Sequence, residues 1–337
     1  MSDIAEMNSP ATTTTATRAS NAGAPSTIPA RVRAMRWEAS GVVSLELSAV
    51  DGSLLPGFEP GAHVDLRLPD GTLRQYSLCG DPSDRTHYRL GIRAVGGGLS
   101  SMFVHGKLRP GDLVTVSAPR NNFPFEDAPR YLFVAGGIGV TPLIPMMRAA
   151  RDRGRPWTLL YCNKRNADAP FLDEIQTLGG EISLHSSAAG TRLDVAEKLT
   201  TVQPGAAVYC CGPESLMTAV EEATAAWPEG TVHFEWFLPR SRTTDAPSGS
   251  FELVCNVSGL TLIVPEDRTV LDVLNEAGIE VASSCQQGIC GTCETRVISG
   301  EIDHRDSILS AAERAANETM MTCMSRAKAG SRLILDI

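Results

Sequence analysis

Apolar positions follow three different rhythms along this chain. From Ala30 to about Pro129, segments such as Val43-Ser-Leu-Glu-Leu47 and His63-Val-Asp-Leu-Arg-Leu68 alternate with period two, and Leu113-Val-Thr-Val-Ser117 predicts a further strand. Short strands broken by frequent Gly and Pro predict an antiparallel β-barrel. From Arg130 the rhythm changes. Tyr131-Leu-Phe-Val-Ala135 is a continuous apolar run, as expected of a parallel strand buried on both faces. A glycine turn and a predicted helix follow it, with Thr141 as the expected cap, Pro142 in the first turn and Gly154 at the end. Trp157–Tyr161, Glu181–His185, Ala206–Cys210 and His233–Phe237 read as further strands, and Asp168 to Leu178 as a second helix stopped by Gly179-Gly180. Beyond a polar stretch, Phe251–Cys255 and Thr261–Pro265 predict a hairpin, and Val270–Ala277 a helix capped by Thr269, with Asp272 in its first turn.

These rhythms divide the 337 residues into an Ala/Thr/Ser-rich tail (1–28), a barrel (29–129), an α/β parallel-sheet domain (130–238), a linker (239–249) and a small α+β domain (250–337). The tail has too few large apolar residues to order itself. No apolar run reaches the roughly 20 residues that span a bilayer. The segment MSDIAEMNSPATTTT lacks a basic region followed by an apolar one, so no secretory signal is expected. The net charge is −9, which argues against nucleic acid as partner. The stretch from Phe251 to Ile337 carries 13 Asp and Glu against 7 Lys and Arg. That bias would steer a partner with a basic patch, or serve simply as solubilising charge.

Nine cysteines change the picture. Cys285, Cys290 and Cys293 are spaced C-x4-C-x2-C, and Cys323 follows at a distance, the ligand spacing of a plant-type [2Fe–2S] cluster. Gly288 and Gly291 let such a loop fold back around two irons. The alternatives are a structural zinc site, whose usual C-x2-4-C units this spacing fits poorly, or buried thiols. The remaining Cys79, Cys162, Cys210, Cys211 and Cys255 are odd in number and scattered, as in a protein kept reduced in the cytoplasm.

Two islands in the barrel stretch carry phosphate chemistry. In Arg74-Gln-Tyr-Ser-Leu78, Arg74 and Tyr76 share one strand face, offering a guanidinium fork and an aromatic plane. Gly96-Gly-Gly-Leu-Ser-Ser101 runs into a predicted helix, whose first N–H groups attract an anion. Each also reads as an ordinary surface feature. In the α/β stretch, Gly136-Gly-Ile-Gly-Val-Thr-Pro142 and Cys211-Gly-Pro213 are both strand-to-helix turns, which would face one crevice beyond the strand ends, where dinucleotides bind.

Arg74-Gln-Tyr-Ser-Leu, Pro119-Arg-Asn-Asn-Phe-Pro, Gly136-Gly-Ile-Gly-Val-Thr-Pro, Cys211-Gly-Pro, Phe234-Glu-Trp-Phe and the cysteine motif occur in that order. Together, over about Ala30 to Ile337, they resemble the phthalate dioxygenase reductase family, which includes vanillate demethylase reductases. The resemblance implies a flavin barrel, an NAD domain and a C-terminal β-grasp plant-type ferredoxin domain. It implies FMN, NADH and a [2Fe–2S] cluster as cofactors, and a Rieske-type terminal oxygenase as partner. By position, Arg74, Tyr76, Ser77 and Leu78 would hold FMN, with Gly98 and Ser101 near its phosphate and Asn122 by the flavin edge. Gly137, Thr141 and Pro142 would line the nicotinamide pocket with Cys211, Gly212 and Pro213, and Phe237 would lie near the isoalloxazine. Cys285, Cys290, Cys293 and Cys323 would bind the cluster. Nicotinamide gives two electrons at once and a cluster takes one, so flavin belongs between them, and no catalytic triad is needed. One departure stands out: Cys162-Asn-Lys-Arg165 after the second strand has no Asp or Glu, so Lys164 and Arg165 keep NADPH open. The alternatives are an FAD-containing reductase serving a P450 or diiron hydroxylase, and a non-enzymatic redox sensor using the cluster alone. A monomer is expected.

Overall fold

The structure, a computed structural model, describes residues 27–240, 249–328 and 330–337. Most of the expected tail and most of the expected linker lie outside these residues. The alternating N-terminal segments form strands β1 (Thr27–Ala39), β2 (Val42–Ala49), β3 (His63–Arg67), β4 (Leu73–Ser77), β5 (Tyr88–Arg93) and β6 (Leu113–Ser117), with helix α1 (Leu99–Gly106) before the last. Their order is β4-β3-β6-β1-β2-β5, all antiparallel. A bridge between Leu78 and Leu90 joins the two edges, so the sheet curls into a barrel around Leu45, Leu47, Val64, Leu66, Leu90 and Val116. β1 starts earlier than the alternation suggested. Thr27 and Ile28, counted with the tail from composition, pair with Ser117 and Val116.

The continuous apolar runs become a parallel sheet of β7 (Arg130–Gly136), β8 (Trp157–Asn163), β9 (Glu181–Ser186), β10 (Ala206–Cys211) and β11 (Val232–Glu235). Helices α2 (Leu143–Asp152), α3 (Leu172–Gln176), α4 (Val195–Leu199) and α5 (Glu214–Ala223) connect them. The order β11-β10-β7-β8-β9 places the switch point between β7 and β10, whose following turns therefore open on one crevice. Two helix expectations are corrected. Thr141 does not cap α2: it already has helical dihedrals, and its hydroxyl donates back to Ile138 O at 2.9 Å across a tight 3₁₀ turn. The second helix is also shorter than expected. Pro170 and a left-handed Phe171 (φ 61°) interrupt it, leaving only five residues in α3.

The C-terminal part contains β12 (Phe251–Cys255), β13 (Leu260–Val264), α6 (Val270–Glu276), β14 (Glu294–Ser299), β15 (Ile302–Asp303), α7 (Ala311–Ala316), β16 (Thr319–Met321), β17 (Arg326–Ala327) and β18 (Arg332–Leu335). The mixed sheet runs β13-β12-β18-β14-β16, with α6 packed on the core of Phe251, Leu253, Val270, Leu274 and Leu333. Thr269 and Asp272 form a reciprocal capping box at the start of α6, as their spacing predicts. The three folded units are thus an antiparallel barrel, a parallel α/β sheet and an α+β unit. Among the described residues no helix is long and apolar enough to cross a membrane.

Candidate functional site

All nine cysteines are free. The thiol of Cys285 lies within hydrogen-bonding reach of those of Cys290 and Cys323, and Cys293 reaches Cys323. The loop owes this to its backbone. Gln286, Gly288 and Gly291 all have positive φ, and a Cβ on Gly288 would sit 3.0 Å from the Asp306 Cα. Buried Asp306 holds the facing segment by accepting the Ile308 and Leu309 N–H groups at 3.1 and 2.8 Å. Contacts from the Cys290 and Cys323 thiols pull the Cys285 thiol far below the ordinary range, while Cys290 and Cys323 are pushed up against that charge. Four thiols within reach of one another, three of them from one C-x4-C-x2-C loop, are a donor set that fits a two-iron cluster.

On the barrel, β4 carries the first island. The Arg74 guanidinium is exposed and donates to its neighbour's carbonyl, Leu73 O, at 2.7 Å. The Tyr76 hydroxyl meets Ser100 Oγ at 2.9 Å, which ties the strand to the first turn of α1. That helix starts at Gly98 with no side-chain cap, and a Cβ on Gly98 would lie 2.9 Å from Ser101 Oγ. An exposed guanidinium two residues along the strand from Tyr76, which is tied to an uncapped helix start, offers groups that suit the phosphate of a flavin. Leu78, the next residue, is buried in the barrel wall. Asn122, expected by the flavin edge, also reaches the four-thiol loop. Its Nδ2 donates to Cys290 O at 2.8 Å, fastening the barrel to the four-thiol loop, and Gly291 leaves room for it: a Cβ there would lie 3.2 Å from that same nitrogen.

The crevice is built by close backbone approach. A Cβ on Gly136 would lie 2.3 Å from Pro213 Cδ, and one on Gly139 would lie 2.3 Å from Cys211 O, so the turns after β7 and β10 interlock. Gly137 has φ 54°, which suits the tight turn. A Cβ on Gly91 of β5 would lie 2.6 Å from Thr141 Cγ2, which seats the barrel against the crevice. Cys211 and Glu235 are register partners at the ends of β10 and β11. The barrel's Ser77 Oγ donates to Glu235 Oε2 at 3.2 Å. Glu235 keeps some exposure as a residue, but its carboxyl is enclosed, and burial pushes it up to about 8, against the ordinary 4.5. Burial and that neighbour also push the Cys211 thiol up. Gly212 and Pro213 complete the turn into α5, and Phe237 is half-buried just beyond β11. Glu235 was missed as a site residue in the sequence. The signal was there: one carboxylate in the otherwise apolar Phe234-Glu-Trp-Phe237.

At the end of β8, Arg165 is not a free phosphate ligand. It donates from Nε and Nη2 to both oxygens of Asp168, at 2.8 and 3.1 Å. Beside it, Asn163 Nδ2 is buried and has no partner among the described residues.

Three family models match: an oxidoreductase FAD-binding domain over residues 40–125, an oxidoreductase NAD-binding domain over 133–222 and a 2Fe-2S iron-sulfur cluster binding domain over 254–328. The chain is 40% identical over 316 residues to a vanillate O-demethylase oxidoreductase of Pseudomonas sp. (strain HR199 / DSM 7063), covering 91% of this chain and 98% of that protein. A solved phthalate dioxygenase reductase matches with a TM-score of 0.67 and 34% identity, over 92% of this chain and 98% of that one. An intact type IV self-sufficient cytochrome P450 monooxygenase matches with a TM-score of 0.85 and 38% identity over 92% of this chain. This chain spans only 41% of that longer protein.

Proposed function

The chain belongs to the family of flavin iron–sulfur reductases that includes phthalate dioxygenase reductase and vanillate O-demethylase oxidoreductase, and from this we propose that it is the reductase component of a two-component Rieske-type oxygenase. A bound flavin would supply the two-electron to one-electron conversion needed between reduced nicotinamide and a [2Fe–2S] cluster. The chain's own residues do the positioning. Arg74 and the start of α1 hold the FMN phosphate, and Tyr76 and Ser77 flank the ring. Gly137, Thr141, Pro142, Cys211, Gly212, Pro213 and Phe237 shape the nicotinamide crevice, and Glu235 orients the Ser77 hydroxyl within it. Cys285, Cys290, Cys293 and Cys323 hold the cluster.

One observation carries this reading. The barrel touches the crevice through Ser77 and Glu235, and touches the four-thiol loop through Asn122 and Cys290 O. These two contacts support a flavin on the barrel lying between the hydride donor and the cluster. Plant-type clusters lie near roughly −400 mV and Rieske centres at about −150 mV or above, so transfer onward runs downhill.

NADH is the donor in this reading. A 2′-phosphate at the β8 loop meets an arginine already neutralised by Asp168, together with that carboxylate. The test uses the purified full-length chain. Its released flavin should be FMN, it should reduce cytochrome c with NADH in preference to NADPH, and it should drive a Rieske oxygenase when mixed with one. FAD in the extract, or turnover with a P450 and none with any Rieske oxygenase, overturns the reading.

A further inference from the structure

His63 opens β3 and is fully buried. Its backbone is paired, with its N–H on Arg120 O at 2.8 Å and its carbonyl accepting from Arg120 N at 3.0 Å. Its side chain is not: neither Nδ1 nor Nε2 has a hydrogen-bond partner among the described residues. A neutral imidazole carries one N–H donor and one lone pair. Leaving such a donor buried and unpaired carries its full desolvation penalty, which a native core rarely tolerates without a group to receive it.

The surroundings say where that group lies. The Arg120 guanidinium cannot accept, and it is committed to Asp65 Oδ1 at 2.8 Å and Ser117 Oγ at 3.4 Å. The cross-strand neighbour Ser77 donates its hydroxyl to Glu235 and makes no hydrogen bond with the imidazole. The four-thiol loop is seated on this end of the barrel, two residues from Arg120, by Asn122 on Cys290 O.

We propose that His63 donates its ring N–H to a sulfur of the iron–sulfur centre held by Cys285, Cys290, Cys293 and Cys323, so that a residue of the flavin barrel tunes the potential of a cluster bound in another domain. This rests on the cluster reading given above. A hydrogen bond to sulfur stabilises the extra negative charge of the reduced centre, which raises its potential. The bond exists only while the loop is seated on the barrel. The cluster then accepts electrons more readily beside the flavin than it does away from it.

The test uses the full-length holoprotein with histidine labelled with ¹⁵N. Pulsed EPR of the dithionite-reduced wild type should show a histidine nitrogen coupled to the cluster, and His63→Leu should lose it. In an EPR-monitored redox titration, His63→Leu should move the cluster to a more negative potential. The expected change is about tenfold in the electron distribution between flavin and cluster, equivalent to about 59 mV for a one-electron couple. His63→Gln keeps an N–H and should recover part of the shift. No nitrogen coupling in the wild type overturns the proposal even if the Leu variant fails to fold. An unchanged potential in His63→Leu with an intact cluster spectrum overturns it as well. Absence of any [2Fe–2S] signal in the wild type is a different failure: it sinks the cluster reading, and the proposal with it.

Discussion

Glu174 of α3 is the keystone between the barrel and the parallel-sheet domain, and removing it makes a sharp test of how the two are held. Its carboxylate accepts from Arg89 Nη2 of β5 at 2.6 Å and from Arg148 Nη2 of α2 at 2.6 Å. The side chains of Arg89, Arg148 and Glu174 are 16, 21 and 22% exposed. Arg89 also lies over the Phe171 ring at 4.8 Å. A hydrogen bond to a charged group is worth about 1.5–3 kcal/mol, so two of them bound the loss at about 3–6 kcal/mol. Partial exposure brings that toward the lower end, and leaving two guanidiniums face to face opposes the relief, so Glu174→Ala should cost about 3 kcal/mol. Since each 1.4 kcal/mol is tenfold, the seated arrangement weakens by about a hundredfold. Gly91, Thr141 and Phe171 meet in the same seam, so hydride transfer should slow as well. Urea unfolding followed by flavin release measures the first effect, and anaerobic stopped-flow bleaching of the flavin by NADH measures the second. A double-mutant cycle with Arg148→Met should return a coupling of about 1–3 kcal/mol. A loss below about 1 kcal/mol together with an unchanged bleaching rate would refute the argument, because an exposed pair is worth that little.

Three further outcomes follow from the site. Glu235 has a folded pKa of about 8 against an ordinary 4.5, so its contribution to stability is full below the ordinary value and is lost as pH rises through about 8. Urea midpoints of the wild type should fall across that window, those of Glu235→Gln should lack this component, and an inflection near pH 8 in the bleaching rate should vanish with it. Asp168→Asn frees Arg165, and should raise kcat/KM for NADPH relative to NADH by about tenfold, for one charge-assisted contact of about 1.5 kcal/mol; an unchanged ratio would place the adenosine end elsewhere. Arg74→Ala should weaken flavin binding by about tenfold to a hundredfold in equilibrium dialysis while the [2Fe–2S] spectrum persists, and normal flavin occupancy would remove Arg74 from the phosphate site.

What the sequence announced and what it hid have physical causes. The thiol loop was legible because three ligands lie within nine residues and their chemistry allows few alternatives. The buried strands β7 and β10 were legible because burial on both faces demands continuous apolar runs. β1 was only partly visible, since it presents exposed positions along most of its length. β5 hid behind Gly91, a residue that weakens a strand pattern and is required here because Thr141 occupies the space of its Cβ. Thr141 looked like a cap because Thr before Pro usually is one; the 3₁₀ turn ahead of it took its hydroxyl instead. Asn122 and Glu235 were quoted within motifs, but their partners are 168 and 158 residues away, and no local pattern reports a contact of that range.

The long-range contacts converge on one rung of the barrel. His63 and Ser77 are direct cross-strand partners on β3 and β4, so their side chains leave the sheet on the same face, about 5 Å apart. Ser77 engages Glu235 at the end of the parallel sheet, while the backbone of His63 pairs with Arg120, two residues from the Asn122 that holds the four-thiol loop. The two seams are therefore joined through a hydrogen-bonded ladder rather than through a flexible connection. A ladder fixes relative positions to a fraction of an ångström, and both hydride transfer and single-electron transfer depend steeply on such positions. If that rigidity matters, weakening the rung should disturb both transfers together. The substitution that exposes this is Ser77→Ala, which removes the bond to Glu235 but leaves the backbone pairing with His63 intact: bleaching by NADH should slow, whereas flavin-to-cluster transfer should keep its rate. Slowing of both by the same factor would mean that the side chain, and not the ladder, carries the coupling between the seams.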